Sequence, residues 1–420
     1  MENSYKSVTL LTRLGITGNS NIRVPCGEQQ CVEIMITADR IDHLGTESAF
    51  EVLAKANALA ASGKRIINLS IGQPDFPTPA NIVEAGRKAF ADGHHGYTAA
   101  NGMPELREAV AEDILTQHAT KVDPDQIVIV PGGKVTMAFA MLIFGQPGVE
   151  IMYPDPGFPI YHSMISFSGA KPVPIRLYEE KGFSFSAEEV LANITPKTRL
   201  IILNTPANPT GGVVDKAELD KLVAGLVDFP DVAILSDEIY SRMCYDGLEH
   251  QSLFSYPEIA DRLIVLNGWS KTYAMTGWRL GWGFWPKPLI ETVTRLAINT
   301  HSCVNAATQI AGIEALRGPQ DEVIKMVTAF DERRKLIYQM LNAIDGVSSV
   351  MPKGAFYAFP NIKKTGYSAK ELQDRLLEEL GIATIAGTSF GSQGEGFLRF
   401  SYANSMENIE VALSQISAWI

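Results

Sequence analysis

The two residues best suited to chemistry are Lys271, as a nucleophilic amine, and Arg279, as an anion-binding group eight positions later. Lys271 follows the apolar run at residues 263–266, so we expect it at the carboxyl end of a buried strand, where α/β proteins bind ligands. Loss of water contacts at such a place lowers the pKa of an amine and frees it to attack a carbonyl group. Arg279 offers a planar fork for an anion. The alternative is that both are solvated loop charges, and these residues alone leave it open.

The spacing of these two cations indicates what kind of ligand they could share. A helix between them would separate them by about 12 Å, at ~1.5 Å of rise per residue. A ligand with an aldehyde at one end and a phosphate at the other would span that distance. Gly268, Gly277 and Gly281 allow the backbone to turn tightly or to approach such a ligand closely.

Three further segments carry residues that suit a charged ligand. Asp237 ends an apolar run, where it is either the partner of a buried cation or a helix cap. Gly132 and Gly133 connect a predicted strand to a predicted helix, an anion-binding arrangement that any tight connection can also use. Arg399 lies in an apolar strand, where its charge requires a carboxylate from either a substrate or the protein.

The composition is that of an ordinary globular chain and argues against some partners. The 420 residues are 46% apolar, and 36 Lys and Arg against 47 Asp and Glu give a net charge of −11. Nucleic acid binding normally calls for a basic face, so we expect no nucleic acid partner. No apolar run is long enough to cross a membrane. The cysteines at 26, 31, 244 and 303 have neither CxxC nor zinc-ligand spacing, which predicts free thiols, a cytoplasmic location and no metal site.

Several segments are similar, in the same order, to the motifs of one enzyme family. They are residues 68–79 (NLSIGQPDFPTP), 97–107 (YTAANGMPELR), 132–134 (GGK), 204–211 (NTPANPTG), 236–240 (SDEIY), 267–281 (NGWSKTYAMTGWRLG) and 398–402 (LRFSY). The chain thus resembles the class I/II aminotransferases of fold type I, the aspartate aminotransferase-like superfamily, which use pyridoxal 5'-phosphate (PLP). Gly268 departs from the pattern because many relatives have a phosphate-binding serine there, and Trp269 is bulkier than the usual residue.

The resemblance assigns roles to individual residues. Lys271 would hold the cofactor aldehyde and later act as a general base, while Asp237 keeps the ring nitrogen protonated. The implied catalytic residues are Lys271, Asp237 and Tyr240. The implied cofactor-binding residues are Gly132, Gly133, Lys134, Phe158, Asn208, Asp237, Tyr240, Ser270, Lys271 and Arg279, with Tyr97 supplied by a partner subunit. The implied substrate-binding residues are Gly72, Asn208 and Arg399. Phe158, assigned to stack on the cofactor ring, is also compatible with a place in the core.

The implied function is a PLP-dependent aminotransferase that moves an amino group from an L-amino acid to a 2-oxo acid by a ping-pong mechanism. Another PLP enzyme of the same fold stays open as the alternative: a C–S β-lyase, an enzyme like the aminocyclopropane-carboxylate synthases, or an amino-acid-tailoring cyclase. Ser389 fits the G-x-S-x-G motif of hydrolases, but all seven histidines precede it, so that interpretation is rejected. The resemblance implies that residues 48–50 approach the substrate; they offer no second positive charge, which favours neutral or aromatic donors over aspartate. The role of Tyr97 implies a homodimer with shared sites.

The arrangement of apolar runs predicts an α/β fold. Runs at 127–130, 151–153, 200–203, 232–235 and 263–266 alternate with helical segments, which indicates a mostly parallel sheet covered on both faces. The resemblance implies a fold type I PLP transferase with seven strands in this sheet.

The pattern changes after a helical region at 304–341. Four short runs, the first at 348–351, flank a helix that starts with the capping box of Ser368 and Glu371, which indicates a small α+β domain. We predict an N-terminal arm at 1–34, a large PLP-binding domain at 76–320, and a small domain made of 35–75 and 321–420.

Overall fold

A computed structural model describes residues 37–46 and 48–420, so the predicted arm at 1–34 lies outside the described residues. The α-helices are α1 (Ser48–Ala61), α2 (Ala80–Ala91), α3 (Pro104–His118), α4 (Lys134–Phe144), α5 (Ile160–Phe167), α6 (Ala187–Ala192), α7 (Lys216–Leu226), α8 (Ile290–Thr300), α9 (Ala306–Arg317), α10 (Asp321–Asn342), α11 (Ala369–Arg375) and α12 (Met406–Trp419). The strands are β1 (Ile67–Asn68), β2 (Ile127–Val130), β3 (Glu150–Asp155), β4 (Lys171–Arg176), β5 (Thr198–Asn204), β6 (Ala233–Asp237), β7 (Leu263–Gly268), β8 (Gly281–Phe284), β9 (Tyr357–Ala358), β10 (Ile382–Ala383), β11 (Ile385–Ala386) and β12 (Leu398–Ser401). Within these two ranges no helix is both long and apolar enough to span a bilayer.

The central sheet has seven strands in the order β2-β8-β7-β6-β5-β3-β4. Strand β8 runs antiparallel to β2 and β7, and the other pairs are parallel. Alternate residues of β2 enter two different cores: Ile129 packs in the core that contains α3, and Val128 packs in the core that contains α4. Both faces of the sheet are covered, so most residues of the central strands are buried, which explains their continuous apolar runs. The predicted α/β class and the mostly parallel seven-stranded sheet are confirmed.

The parallel strands end together at one edge of this sheet. Asn204, the last residue of β5, is paired with Asp237, the last residue of β6. Strand β7 ends next to them at Gly268, three residues before Lys271. The topology alone thus gathers the polar residues that follow three separate apolar runs, as expected for a ligand site at the carboxyl ends of parallel strands.

A second layer of short strands lies beside the C-terminal helices. Strand β1 pairs in parallel with β10, and β11, β12 and β9 form an antiparallel sheet. These strands share a core with α10 and α12. The strand predicted at 348–351 is wrong, because Ser348 makes only an isolated bridge with Asn361, and regular pairing begins later. The predicted domain limits stay a prediction, although β1 does pair with a strand from the last tenth of the chain.

Helix α11 starts as its sequence indicates. The Ser368 hydroxyl accepts a hydrogen bond from the Glu371 backbone N–H at 3.3 Å, which satisfies one of the free donors of the first turn. The helix continues through one π-helical turn, Leu376–Leu380, and ends at Gly381, whose φ of +74° suits glycine. This end leads directly into β10, and through it to β1.

Candidate active site

Most of the residues singled out in the sequence line one cavity of about 480 Å³. Its walls come from the carboxyl end of the central sheet, the start of α4, the segment around Gly72 and strand β12. The predicted residues that line it are Gly72, Gly133, Lys134, Phe158, Asn208, Asp237, Tyr240, Ser270, Lys271, Arg279 and Arg399. Gly132 lies just behind the wall, against Arg279. Tyr97 is not in this cavity.

The segment from Lys271 to Arg279 is not a continuous helix, so the separation calculated from helical rise does not apply. The chain turns at Ala274, forms a short 3-10 turn at Thr276–Trp278, and passes through a left-handed conformation at Arg279, with φ of +53°. Both side chains still reach the same cavity. The Lys271 amine donates a hydrogen bond to the carbonyl oxygen of Gly72, which holds the amine at the junction of two chain segments.

Arg279 and Gly132 form one side of an anion site. Gly132 has a φ of +90°, and a Cβ at this position would lie 2.0 Å from Arg279 Nη2. Arg279 Nη1 donates to the Thr276 carbonyl oxygen at 2.7 Å, which fixes the guanidinium. Gly133 precedes the first turn of α4, where backbone N–H groups have no partner within the helix. A guanidinium beside a helix N-terminus suits a phosphate group.

Asp237 is a buried carboxylate at the end of β6. The Tyr161 hydroxyl donates to its Oδ2 at 2.6 Å, and the Ile239 backbone N–H donates to its Oδ1 at 3.2 Å. Burial raises the pKa of Asp237 to about 6, although both hydrogen bonds act in the opposite direction. A buried carboxylate of this kind favours a cation beside it, as the protonated ring nitrogen of a pyridine would be. Tyr161 belongs to the site, and the sequence analysis does not identify it.

A pair of tyrosines closes the cavity next to Gly72. The hydroxyl oxygens of Tyr240 and Tyr357 are 2.8 Å apart, and burial raises the pKa of Tyr240 well above its usual value. A Cβ on Gly72 would lie 2.1 Å from the Tyr357 hydroxyl oxygen. Glycine is therefore needed at position 72 because Tyr357 fills the space that any side chain would take. Tyr357 is a second site residue that the sequence analysis misses.

Arg399 points from β12 towards the same cavity and is 3% exposed. Its Nη1 donates to Asn208 Oδ1 at 3.0 Å, and its Nη2 donates to the carbonyl oxygen of Ser70. The guanidinium carbon lies 4.7 Å from the ring centroids of Tyr357 and Phe390. A guanidinium in the cavity wall suits an anionic group such as a carboxylate, which it can bind through two parallel hydrogen bonds.

Lys134 and Phe158 line the opposite wall of the cavity. Lys134 Nζ lies 5.2 Å from the ring centroid of Phe158 and 5.9 Å from that of Phe50. The Phe158 ring meets the Tyr161 ring edge to face at 6.0 Å. Phe158 is half-buried, lines the cavity and also packs against the core that contains α4, so its role at the cofactor ring stays a prediction.

The two departures from the family pattern have structural reasons. Gly268 pairs with Gly281 of β8, and a Cβ on Gly268 would lie 2.8 Å from the Gly281 Cα, so a serine does not fit there without movement of the backbone. Trp269 is fully buried, and its Nε1 donates to the Gly312 carbonyl oxygen at 3.1 Å. The close approach of β7 and β8 thus excludes the serine that many relatives use.

Comparison with known proteins decides the family. Residues 64–416 match the family model described as aminotransferase class I and II. The chain belongs to this family. It is 37% identical to an aspartate aminotransferase of Pyrococcus abyssi and to aromatic-amino-acid aminotransferase 2 of Thermococcus litoralis, in each case over 91% of this chain and 97% of the relative. The solved structure of an aspartate aminotransferase from Thermus thermophilus with maleate superposes with a TM-score of 0.88, at 32% identity over 92% of this chain and 100% of that one.

The chain is accordingly a PLP-dependent transaminase acting on amino acids and 2-oxo acids. The cavity fits that cofactor. The cradle at Gly132, which a Cβ would fill, suits its phosphate, and the buried Asp237 suits its ring nitrogen. Among the residues that the structure describes, no group of three or more His, Cys, Asp or Glu side chains is placed to hold a metal ion.

Proposed function

We propose that the amino donors of this transaminase include dicarboxylic amino acids in addition to aromatic ones. The observation that carries the proposal is the position of Lys134, whose ammonium group lies against Phe50 and Phe158 in the cavity wall. Residues 48–50 carry no positive charge, which favours neutral and aromatic donors. Lys134 adds a cation beside them, so the same wall suits an acidic side chain.

The names of similar proteins support both donor classes. The Pyrococcus abyssi relative is named an aspartate aminotransferase, and the Thermococcus litoralis relative is named for aromatic amino acids. The Thermus thermophilus structure was solved with maleate, a dicarboxylate. In this chain, aromatic donors would pack on Phe50, and the distal carboxylate of aspartate or glutamate would approach Lys134.

A donor panel with Lys134→Met tests this proposal. Methionine keeps the length of the side chain and removes its charge, so kcat/KM for aspartate should fall about 10-fold or more, since a hydrogen bond to a charged group contributes ~1.5–3 kcal/mol. The kcat/KM for phenylalanine should change little and serves as the internal control. An equal loss with both donors would contradict the proposal.

We infer that this chain's residues act in the following order. PLP, when bound, supplies an aldehyde and an electron sink. Arg399 holds the substrate α-carboxylate, with Asn208 beside it, and thereby fixes the orientation of Cα. Lys271 Nζ, held at the Gly72 carbonyl, takes the proton from Cα as general base. Asp237 would hold the protonated ring nitrogen of the cofactor, and Tyr240 would donate a hydrogen bond to its ring hydroxyl oxygen.

A single half-reaction tests the ping-pong sequence. Enzyme mixed with an amino donor and no acceptor should release about one equivalent of 2-oxo acid per subunit and stop, because the amino group stays on the enzyme. Adding a different 2-oxo acid should then release the matching amino acid. Continuous release of pyruvate or ammonia without an acceptor would identify a β-lyase instead.

We also propose a homodimer in which Tyr97 reaches the cavity of the partner. Tyr97 is 93% exposed and lies in a surface groove with Phe90, outside its own chain's cavity. Phe90 is also exposed in this groove, and an exposed apolar patch of this kind is typical of contact surfaces. Sedimentation should give a dimer, and Tyr97→Phe should weaken PLP binding without changing that mass. A fully active monomer would contradict this arrangement.

The cytoplasmic location and the domain limits are proposed on narrower grounds. Cys244 and Cys303 are free thiols, as expected in a reducing compartment.

For the domains, we propose that 35–75 and 321–420 form one unit beside 76–320, and the pairing of β1 with β10 supports this division. Limited proteolysis should cut first near residues 76 and 320.

A further inference from the structure

The acidic residue next to Asp237 belongs to a second, separate network. Asp237 lines the active-site cavity, whereas the carboxylate of Glu238 accepts a hydrogen bond from His250 Nε2 at 3.0 Å. His250 lines a different cavity, of about 350 Å³, bordered by His118, Arg242 and the residues before Lys271. Of two consecutive carboxylates at one strand end, Asp237 therefore lines the active-site cavity, and Glu238 contacts a histidine that lines the other cavity.

The Glu238 carboxylate is buried and well satisfied, whereas Nδ1 of His250 is buried without a hydrogen-bond partner. The carboxylate also accepts from the Ser236 hydroxyl at 2.8 Å and from the Leu253 backbone N–H at 3.1 Å, and the side chains of Glu238 and His250 are 1% and 4% exposed. Burial by itself raises the pKa of Glu238, but the histidine and the hydrogen bonds outweigh it, so the pKa ends below its usual value. Glu238 is therefore an anion directly beside Asp237.

We propose that Glu238 and His250 are positioning residues that set the charge of Asp237 from the side of the strand opposite the cofactor. The Glu238 anion opposes a second negative charge at Asp237. His250 donates to Glu238 and offsets part of that opposition. This inference rests on the proposed role of Asp237 as the partner of the cofactor ring.

The other charged and titratable groups around the two carboxylates are these. Asp237 faces Tyr161 from α5, Lys271 from the segment after β7, and Tyr240 from its own segment. Glu238 and His250 face His118 from α3, whose ring lies 6.2 Å from that of His250. The ion pair of Asp113 with Arg242 borders the same cavity. A change at Glu238 or His250 leaves all of these groups in place.

The test measures PLP affinity of the apoenzyme, by quenching of tryptophan fluorescence, from pH 5 to 9 in Glu238→Gln and His250→Gln. Glutamine at 238 removes the opposing charge, so Asp237 should ionise more readily and the pH midpoint of PLP binding should move down. Glutamine at 250 still donates a hydrogen bond but removes the electrostatic attraction by which His250 stabilises the Glu238 anion, so the midpoint should move up. Each shift should be about 0.5–1 pH unit, which is less than the ~1–3 units caused by a charge within ~4–6 Å, because consecutive side chains of a strand point to opposite faces. Shifts of the same sign, or none, would overturn the proposal.

Glu238→Asp separates charge from packing. It keeps the anion and shortens the side chain, so the midpoint should stay at the wild-type value even where the thermal midpoint falls. A purely structural role predicts instead that Glu238→Asp and Glu238→Gln have the same effect on PLP binding.

The Asp237→Asn background distinguishes this proposal from the role of Asp237 itself. In an enzyme that already carries Asp237→Asn, Glu238→Gln and His250→Gln should no longer shift the pH midpoint of PLP binding. A persisting shift would show that Glu238 and His250 act through a group other than Asp237. If Asp237→Asn alone left both the affinity for PLP and its pH dependence unchanged, the proposed role of Asp237 would be wrong.

Discussion

Asp237→Asn should stabilise the apoenzyme while it impairs the loaded enzyme. The Asp237 side chain is 2% exposed, and burial raises its pKa from 3.8 to about 6. The difference of 6 − 3.8, or 2.2 units, corresponds to about 3 kcal/mol at ~1.36 kcal/mol per unit. Without the cofactor's cation, the folded apoenzyme bears this cost whenever the carboxylate is ionised.

The direction of the pH dependence follows from the raised pKa. The folded state binds the proton of Asp237 more tightly than the unfolded state does. Its contribution to the free energy of unfolding is therefore fully present below pH 3.8 and is lost as the pH rises through about 6. About half of the loss falls between pH 5 and 8. Asparagine has no such titration.

The assay is urea unfolding of wild-type and Asp237→Asn apoenzyme at several pH values between 5 and 8. The stability of the variant relative to wild type should increase by about 1–1.5 kcal/mol across this range. Saturation with PLP is the control, since the ring cation should reverse the order and make wild type the more stable protein. Parallel stability curves for the two apoenzymes would refute the reasoning.

Three further substitutions test the cavity walls. Gly72→Ala should lower kcat/KM, and it should lower the free energy of unfolding by roughly 1–3 kcal/mol through overpacking, because its Cβ would lie 2.1 Å from the Tyr357 hydroxyl oxygen. The double variant with Tyr357→Phe should regain stability. If it does not, this clash is not the cause of the loss. Arg399→Lys should raise the donor KM about 10- to 100-fold, since it loses the planar fork; an unchanged KM would mean that Arg399 does not bind the substrate. Lys271→Ala should keep some PLP noncovalently but lose the yellow absorbance and nearly all turnover, and borohydride should no longer attach the cofactor to the residue 271 peptide.

The central strands could be predicted because each lies in a continuous apolar run. The runs at 127–130 and 263–266 are the buried cores of β2 and β7. Two strands of the same sheet have no such signal. Strand β4 is at the sheet edge and contains Pro172 and Pro174, which are tolerated where one side of a strand has no partner. Strand β8 has Gly283, where a Cβ would lie 2.6 Å from Thr136 Cγ2 of α4.

The site residues that follow apolar runs could also be placed in advance, whereas those that depend on tertiary contacts could not. Asp237 and Lys271 follow strands, so topology brings them to one edge of the sheet. Tyr161 reaches Asp237 across 76 positions, and Tyr357 reaches Tyr240 across 117. No local pattern signals such contacts, because an aromatic residue in a core and one in an active site have the same surroundings in sequence.

The parallel pairing of Ile67 with Ile382 has a consequence for how the protein is made. During translation, the segment around Gly72 leaves the ribosome long before strands β10 and β12, from which its partners come. At ~5–20 residues per second, this interval is on the order of tens of seconds. The nascent chain therefore lacks the wall that contains Arg399 until strand β12 has been synthesised, and it can become a working enzyme only after that point.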